Sequence, residues 1–197
     1  HEQGAAFMAD IYGRLTGKAG VCLSTLGPGA TNLMTGVADA NLDGAPLVAI
    51  TGQVGTDRMH IESHQYLDLV AMFAPITKWN AQIVRPDNTA EIVRKAFKVA
   101  QAEKPGAVHI DLPENIAAMP LNVKPLLRDN REKTYASTRS LNAAAAAISK
   151  AKNPIILAGN GVIRALASEA LTEFATQLGI PVANTFMGKG AIPYTHP

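Results

Sequence analysis

Between residues 46 and 52 the chain reads Pro-Leu-Val-Ala-Ile-Thr-Gly, apolar at every position up to Thr51. A strand with one wet face alternates polar and apolar side chains. An unbroken apolar run of strand length belongs to a parallel sheet covered on both faces. Parallel neighbours need long crossovers, so helices must separate the strands. The rest of the chain supplies both. Val21-Cys22-Leu23-Ser24-Thr25 and Ala107-Val108-His109-Ile110-Asp111-Leu112-Pro113 are further strand-length runs, and residues 76–84 read as extended around Trp79. Helical spacing marks residues 3–15, with Phe7, Met8, Ile11, Tyr12 and Leu15 on one face, a stop at Gly17, and Lys18 at the negative end. Further helices are expected from about residue 30 to 42, over 67–73, and after the N-cap signal Asp87-Asn88-Thr89. The last carries a stripe of Ile92, Val93, Ala96, Phe97, Val99 and Ala100 and stops at Pro105-Gly106. This alternation predicts an α/β fold with a doubly wound parallel sheet.

The texture changes beyond residue 114. Pro120, Pro125 and the charged run Arg128-Asp129-Asn130-Arg131-Glu132-Lys133 read as a solvated linker. A helix over 141–151, a strand over 154–158, a helix over 164–178 and a strand over 180–184 then open a second, Rossmann-like α/β domain. The expected organisation is a first domain over 1–118, a linker over 119–139 and the start of a second domain over 140–197. The chain opens on His1 with a helical pattern under way and stops soon after a strand. A fragment of a longer protein is expected, lacking the N-terminal part of its first domain.

Bulk properties exclude several classes. A net charge of +2, with no basic run interleaved with aromatics, argues against nucleic-acid binding. No apolar stretch approaches the roughly 20 residues of a membrane span. The single cysteine, Cys22, lies in an apolar run, which excludes a disulfide framework, fits a reduced cytoplasmic setting and reads as core.

Two stretches carry chemistry. Glu2 stands at the start of the first helix among the small residues Gly4, Ala5 and Ala6. At that position a carboxylate gains about 0.3–1 kcal/mol from the helix dipole, and simple charge compensation would explain it. Burial would instead raise its pKa and make it a proton donor near neutral pH. Gly27-Pro28-Gly29, followed by Ala30-Thr31-Asn32, lies between a strand and a helix, where glycines allow close backbone approach by a ligand. A plain strand-to-helix turn capped by Thr31 or Asn32 is the alternative.

Taken together, His-Glu-Gln, Ala-Ala-Phe-Met-Ala-Asp, Gly-Arg-Leu-Thr-Gly-Lys and Gly-Pro-Gly-Ala-Thr-Asn-Leu resemble the pyrimidine-binding domain of thiamine diphosphate enzymes. Val48-Ala49-Ile50-Thr51-Gly52-Gln53-Val54 and Pro75-Ile76-Thr77-Lys78 are similar to the acetolactate synthase catalytic subunit. The resemblance covers residues 1 to about 118, and the remainder resembles that family's central domain. It implies that Glu2 is catalytic, acting on the ring nitrogen of the cofactor's aminopyrimidine. Gly27, Pro28 and Gly29 would pack against that ring, and Asn32 would be structural. It further implies decarboxylation of pyruvate and carboligation with a second pyruvate to 2-acetolactate. Mg2+ and the diphosphate would be held by a C-terminal domain at a Gly-Asp-Gly motif, absent from these residues, so the fragment alone would be inactive and no metal ligand is assigned here. A homodimer or homotetramer is implied, with a regulatory small subunit as a further partner.

Some positions depart from the biosynthetic members. Where those carry Phe-Gln, this chain has His64-Gln65, more similar to the catabolic type that works without flavin. Gln65 is the candidate for a hydrogen bond to cofactor or substrate, and His64 is either a proton relay or a loop histidine. His60 is expected to be exposed and His109 to lie in the core. His60, Glu62 and His64 fit no strong metal template. Glu114 stands where biosynthetic members carry lysine. Gly159-Asn160-Gly161 lacks the third glycine of a dinucleotide fingerprint, Arg164 taking its place, so FAD is not favoured and a tight turn needing glycine is expected. Two alternatives stay open: another thiamine diphosphate-dependent lyase or acetyltransferase, such as a sulfoacetaldehyde acetyltransferase or a decarboxylase, and a non-catalytic α/β module.

Overall fold

A computed structural model describes residues 1–127 and 135–196. The charged linker run 128–133 lies outside the described residues. The chain divides between residues 130 and 131 into two compact units, taken separately here.

The first unit is built on four parallel strands in the order β1-β2-β4-β3, namely β1 (Gly20–Ser24), β2 (Leu47–Gln53), β3 (Trp79–Gln82) and β4 (Ala107–Pro113). The crossovers run through α2 (Pro28–Asp43), α3 (Leu69–Phe73) and α4 (Thr89–Gln101). Helix α1 (Glu2–Thr16) precedes the sheet and the short α5 (Glu114–Ala117) follows it. Strands β2 and β4 pair over their whole length, from Leu47 opposite Ala107 to Gln53 opposite Pro113. They are buried on both faces, as their unbroken apolar runs require. Alternate residues serve opposite layers. Leu47 and Ala49 join Ala6, Leu33, Val37, Leu69 and Phe73 under α1, α2 and α3. Val48, Val108 and Ile110 join Ala96, Ala100 and Ile116 under α4 and α5.

Helix α1 reverses one expectation. The large apolar stripe read from its spacing faces outward: Met8 is 71% and Leu15 81% exposed, and Ile11 and Tyr12 about half. The buried face is Ala6, Ala9, Asp10 and Gly13. The reason is proximity. A Cβ on Gly20 would stand 2.0 Å from the Ala9 carbonyl oxygen, and one on Gly13 2.4 Å from that of Pro46. A Cβ on Gly36 would stand 2.6 Å from that of Ala6. Only small side chains let α1 approach β1, the start of β2, and α2 so closely, so bulk is sent outward.

Helices α1 and α2 run in the same direction with a fixed offset. Glu2 meets Asn32, 30 residues on, and Ala6 meets Gly36 at the same offset. Further along, Arg14 binds Asp10 at 2.8 Å, Asp39 at 2.8 Å and Asp43 at 2.6 Å. Asp10 first, and then Asp43, hold its guanidinium firmly charged. Gly17 closes α1 in the left-handed conformation at φ 66°. On the other side of the sheet, Lys78 Nζ donates to the carbonyls of Val99, Ala102 and Lys104, capping the end of α4. The expected side-chain N-cap of α4 does not form. Asn88 makes no capping bond, and Asp87 instead pairs with Arg85.

In the second unit β5 (Ile156–Ala158) and β6 (Val182–Asn184) pair in parallel. Helix α6 (Thr138–Lys150) precedes them and is capped by the Ser137 hydroxyl. The single helix expected over 164–178 is two, α7 (Asn160–Arg164) and α8 (Ser168–Leu178), because Leu166 enters the left-handed region at φ 55° between them. Gly159 and Gly161 do not form a glycine-requiring turn. Gly159 is extended and caps α7, Gly161 lies inside it, and a Cβ on either would meet only ordinary contacts. Among the described residues no helix is long and apolar enough to cross a membrane.

Gly36→Val is expected to lower the stability of the chain by about 2–3 kcal/mol through overpacking against Ala6. The urea midpoint should fall at constant slope. An unchanged midpoint would contradict the close contact of α1 and α2.

Candidate active site

Glu2 occupies the first turn of α1, whose N-cap is His1, its ring nitrogen accepting from the Gln3 amide at 3.2 Å. The α1–α2 offset carries the Glu2 carboxylate to the first turns of α2, where Asn32 Nδ2 donates to its Oε2 at 2.9 Å. Its other oxygen lies against Gly29: a Cβ there would be 3.4 Å from Oε1 and 2.6 Å from Thr25 Cγ2. The acid and the glycine segment, 27 residues apart in sequence, are therefore neighbours. The segment is not a free turn. Gly27 alone is non-helical, at φ 58° and ψ −124°, while Pro28 and Gly29 are the first residues of α2. Proline suits that place because the first amide of a helix has no partner to lose. Thr31 bonds back to the Pro28 carbonyl at 3.0 Å.

The expected rise in the Glu2 pKa is not what this chain shows. The residue is half-buried, and the hydrogen bond from Asn32 holds its carboxyl below the usual carboxylate range. Desolvation acts the other way but is the weaker influence. Glu2 is thus an ionised acceptor at neutral pH in this chain, not a proton donor. Asn32, which the sequence alone assigns to structure, touches it directly. Its spacing from Gly29 was visible in the sequence, but nothing local tied it to a residue 30 positions back.

Gln65 reaches the same place from the loop after β2. A Cβ on Gly27 would come within 2.7 Å of Gln65 Cβ and 2.9 Å of its carbonyl oxygen, so only glycine lets that loop rest on the start of α2. Gln65 itself sits at φ 59°. His64 beside it is exposed, as is His60, which pairs with the Tyr66 hydroxyl at 3.1 Å. Several ties hold the loop. Gln53 Nε2 donates to the Leu67 carbonyl at 2.9 Å. Thr56 and Asn115 exchange hydrogen bonds of 3.0 and 2.8 Å. Arg58 pairs with Glu114, which fastens the loop to α5. Among the described residues no three His, Cys, Asp or Glu side chains are grouped to hold a metal.

Behind the loop, at the C-terminal ends of β2, β3 and β4, lies a buried polar cluster. Asp111 accepts from Thr51 at 3.0 Å, Gln82 at 2.7 Å and Gln53 at 3.5 Å. Burial still lifts its pKa above the ordinary carboxylate value. Thr51 has one hydroxyl proton, given to Asp111, so its oxygen accepts from His109 Nε2 at 2.8 Å. That leaves His109 Nδ1 as a buried acceptor with no partner. The ring stacks on Phe73 at 3.9 Å, and burial pushes its pKa down to about 3, so it is neutral. The sequence signal was there: Thr51, Gln53, His109 and Asp111 share one face of two otherwise apolar strands. Cys22 is buried, its thiol pushed up to about 12 by desolvation, which removes it as a nucleophile.

What the site offers is a carboxylate oxygen at the start of a helix, where Gly27 and Gly29 let Gln65 and Thr25 close in on the backbone. A carboxylate in that place can exchange a proton with a heteroaromatic nitrogen. Comparison with known proteins leads the same way. Residues 1–72 match the family model of the N-terminal TPP binding domain of thiamine pyrophosphate enzymes, and residues 141–197 match the model of their central domain. Over its full length the chain is 45% identical to a protein of Methanocaldococcus jannaschii named probable acetolactate synthase large subunit, covering 34% of it. It is 40% identical over its full length to the acetolactate synthase of Mycobacterium leprae and to the large subunit of Corynebacterium glutamicum, covering 32% of each. The chain therefore spans about a third of the length of the curated relatives it matches.

The buried neutral histidine makes an acid-lability prediction. Unfolded His109 takes up a proton near pH 6.5, while the folded residue resists until about pH 3. Its contribution to stability is therefore lost as pH falls through that window, at up to about 1.4 kcal/mol per pH unit. Asp111, with its pKa raised, acts in the opposite sense, since the folded state holds that proton more tightly. His109→Gln should flatten the decline of unfolding free energy between pH 6.5 and 4. An unaltered slope would show that His109 is not the group responsible.

Proposed function

Because the chain belongs to the thiamine pyrophosphate enzymes, we propose that it forms the pyrimidine-side half of the active site of an acetolactate synthase. The observation that carries this reading is the contact of Glu2 Oε1 with Gly29. An acid and the glycine segment at the start of α2 stand side by side. The bound cofactor supplies an electron sink for decarboxylating pyruvate and joining the remaining two carbons to a second pyruvate.

This chain's own residues then have separate tasks. Gly27 and Gly29 let Gln65 and Thr25 pack against the start of α2, and Pro28 stiffens the backbone between them. Glu2 Oε1 would hold or move a proton at a ring nitrogen of the bound cofactor. In this chain the Asn32 bond holds that carboxyl below its ordinary range. A ring docked over it would displace water and push its proton affinity back up, as desolvation of a carboxylate does. Gln65, held against Gly27, presents its amide from the loop towards cofactor or substrate, and exposed His64 beside it is a proton relay. The diphosphate and Mg2+ are assigned to a further domain of the whole protein, which makes this chain inactive by itself. FAD is not favoured, since Arg164 stands where a dinucleotide fingerprint carries its third glycine. The remainder of the proposal is a cytoplasmic enzyme acting as a homodimer or homotetramer. A regulatory small subunit is suggested by relatives named large subunits.

In the whole protein, Glu2→Gln should reduce pyruvate turnover by two orders of magnitude or more, on the order expected for loss of a group that handles a transferred proton, while leaving the thermal unfolding midpoint in place. Near-normal turnover would sink the assignment and favour a non-catalytic module. Product analysis sets the reaction: acetaldehyde without acetolactate would reassign the chain to a decarboxylase.

A further inference from the structure

We infer that Asn32 is the positioning residue for Glu2, its side-chain amide holding Oε2 so that Oε1 is the oxygen presented at Gly29. The inference rests on the reading of Glu2 as the cofactor-facing acid and adds the residue that aims it.

Three observations carry it. First, the contact divides the carboxylate: Asn32 Nδ2 is 2.9 Å from Oε2, and Oε1 is the oxygen nearest the Gly29 position. A carboxylate on a freely turning side chain would offer either oxygen; one tied at Oε2 offers only the other. Second, the tie is anchored on both sides. Glu2 and Asn32 are the first rung of the α1–α2 seam, followed by Ala6 on Gly36 and the Arg14 clamp on Asp39 and Asp43. Helix sliding therefore cannot separate them without breaking the rungs beyond. Third, Asn32 has no competing task as a cap. Gly27 is the N-cap, and it is Thr31 that bonds back to Pro28. Asparagine is a weak helix former compared with alanine, so its place inside α2 calls for a side-chain role.

An amide also suits an acid that changes protonation. With Nδ2 forward it donates to a carboxylate, and turned over it accepts from a carboxylic acid through Oδ1. Aspartate or leucine would lose one or both abilities. The charges around Glu2 are few among the described residues. Helix α2 brings no acid in its first turn, Thr25 and Gln65 are neutral, and Asp39 and Asp43 lie at the far end on Arg14. The charged neighbour is the amino terminus at His1, which lowers the proton affinity of Glu2 less than Asn32 does, and the His1 ring caps α1. Replacing Asn32 should therefore be read directly in the titration of Glu2.

The test is a pH titration of the Glu2 side-chain carboxyl carbon by 13C NMR in the 197-residue chain, with no cofactor present. Asn32→Leu should make Glu2 bind its proton severalfold more tightly, and Asn32→Gln, which keeps an amide, should restore most of the difference. Should the leucine variant fold poorly, Asn32→Asp keeps the shape and should raise the proton affinity further by like-charge repulsion. Titration of Glu2 in the leucine or aspartate variant unchanged from wild type overturns the inference. Failure of the parent reading looks different. Normal turnover of Glu2→Gln in the whole protein removes the catalytic role of the acid, whereas lost turnover with an unchanged titration in Asn32→Leu removes only the role of Asn32.

Discussion

Everything in the first unit depends on how closely α1 can lie against its neighbours. Three contacts set that distance: Ala9 on Gly20, Gly13 on Pro46, and Ala6 on Gly36. Each places an atom where a Cβ would collide, and each lies on the face of α1 that carries no large side chain. Interiors packed to this density do not stretch to admit a methyl group. The direct consequence is the shared offset of α1 and α2, and that offset delivers Glu2 to Asn32 and Gly29. A carboxylate on the first turn of a helix would otherwise be a surface charge worth a fraction of a kcal/mol.

The two carboxylates that matter most sit in opposite environments. Glu2 is half-exposed and fed by an amide donor, so its pKa falls. Asp111 is fully buried, and three donors do not offset the loss of water, so its pKa rises. Environments that drive two acids apart in this way commonly separate a reacting group from a supporting one. Here the geometry assigns the roles. Asp111 gathers Thr51, Gln53 and Gln82 at the ends of three strands, and Gln53 carries the tie onward to Leu67 and the loop of Gln65. The cluster is a foundation for the loop, and Glu2 stands apart from it beside Asn32 and Gly29.

Much of the site was legible in the residues alone. Glu2 and Gly27-Pro28-Gly29 were identifiable because each is chemically unusual where it stands, and the strands because a parallel sheet buries both faces. Gln65 was singled out only through likeness to a family, and its seat on Gly27 is a contact that no local pattern announces. What misled was helical periodicity in α1. Met8, Ile11, Tyr12 and Leu15 form a convincing apolar stripe, yet the face that packs is Ala6, Ala9 and Gly13. Spacing reports which residues share a side, not how near the next element lies. The long helix read over 164–178 failed for a similar reason, since a left-handed Leu166 leaves no trace in the pattern.

The sequence by itself determined the layered α/β architecture, the order of strands and helices, and the identity of the acid and glycine segment. These follow from local hydrophobic pattern and from residue types whose conformational range is special. Tertiary structure alone decided that Glu2 is tied to Asn32, that it is ionised and half-exposed in this chain, and that Oε1 is the oxygen beside Gly29. The reason is physical. A pKa and the direction of a carboxylate depend on groups within a few ångströms, and those groups come from residues 27 to 30 positions away, brought there by the contact of two helices at small side chains.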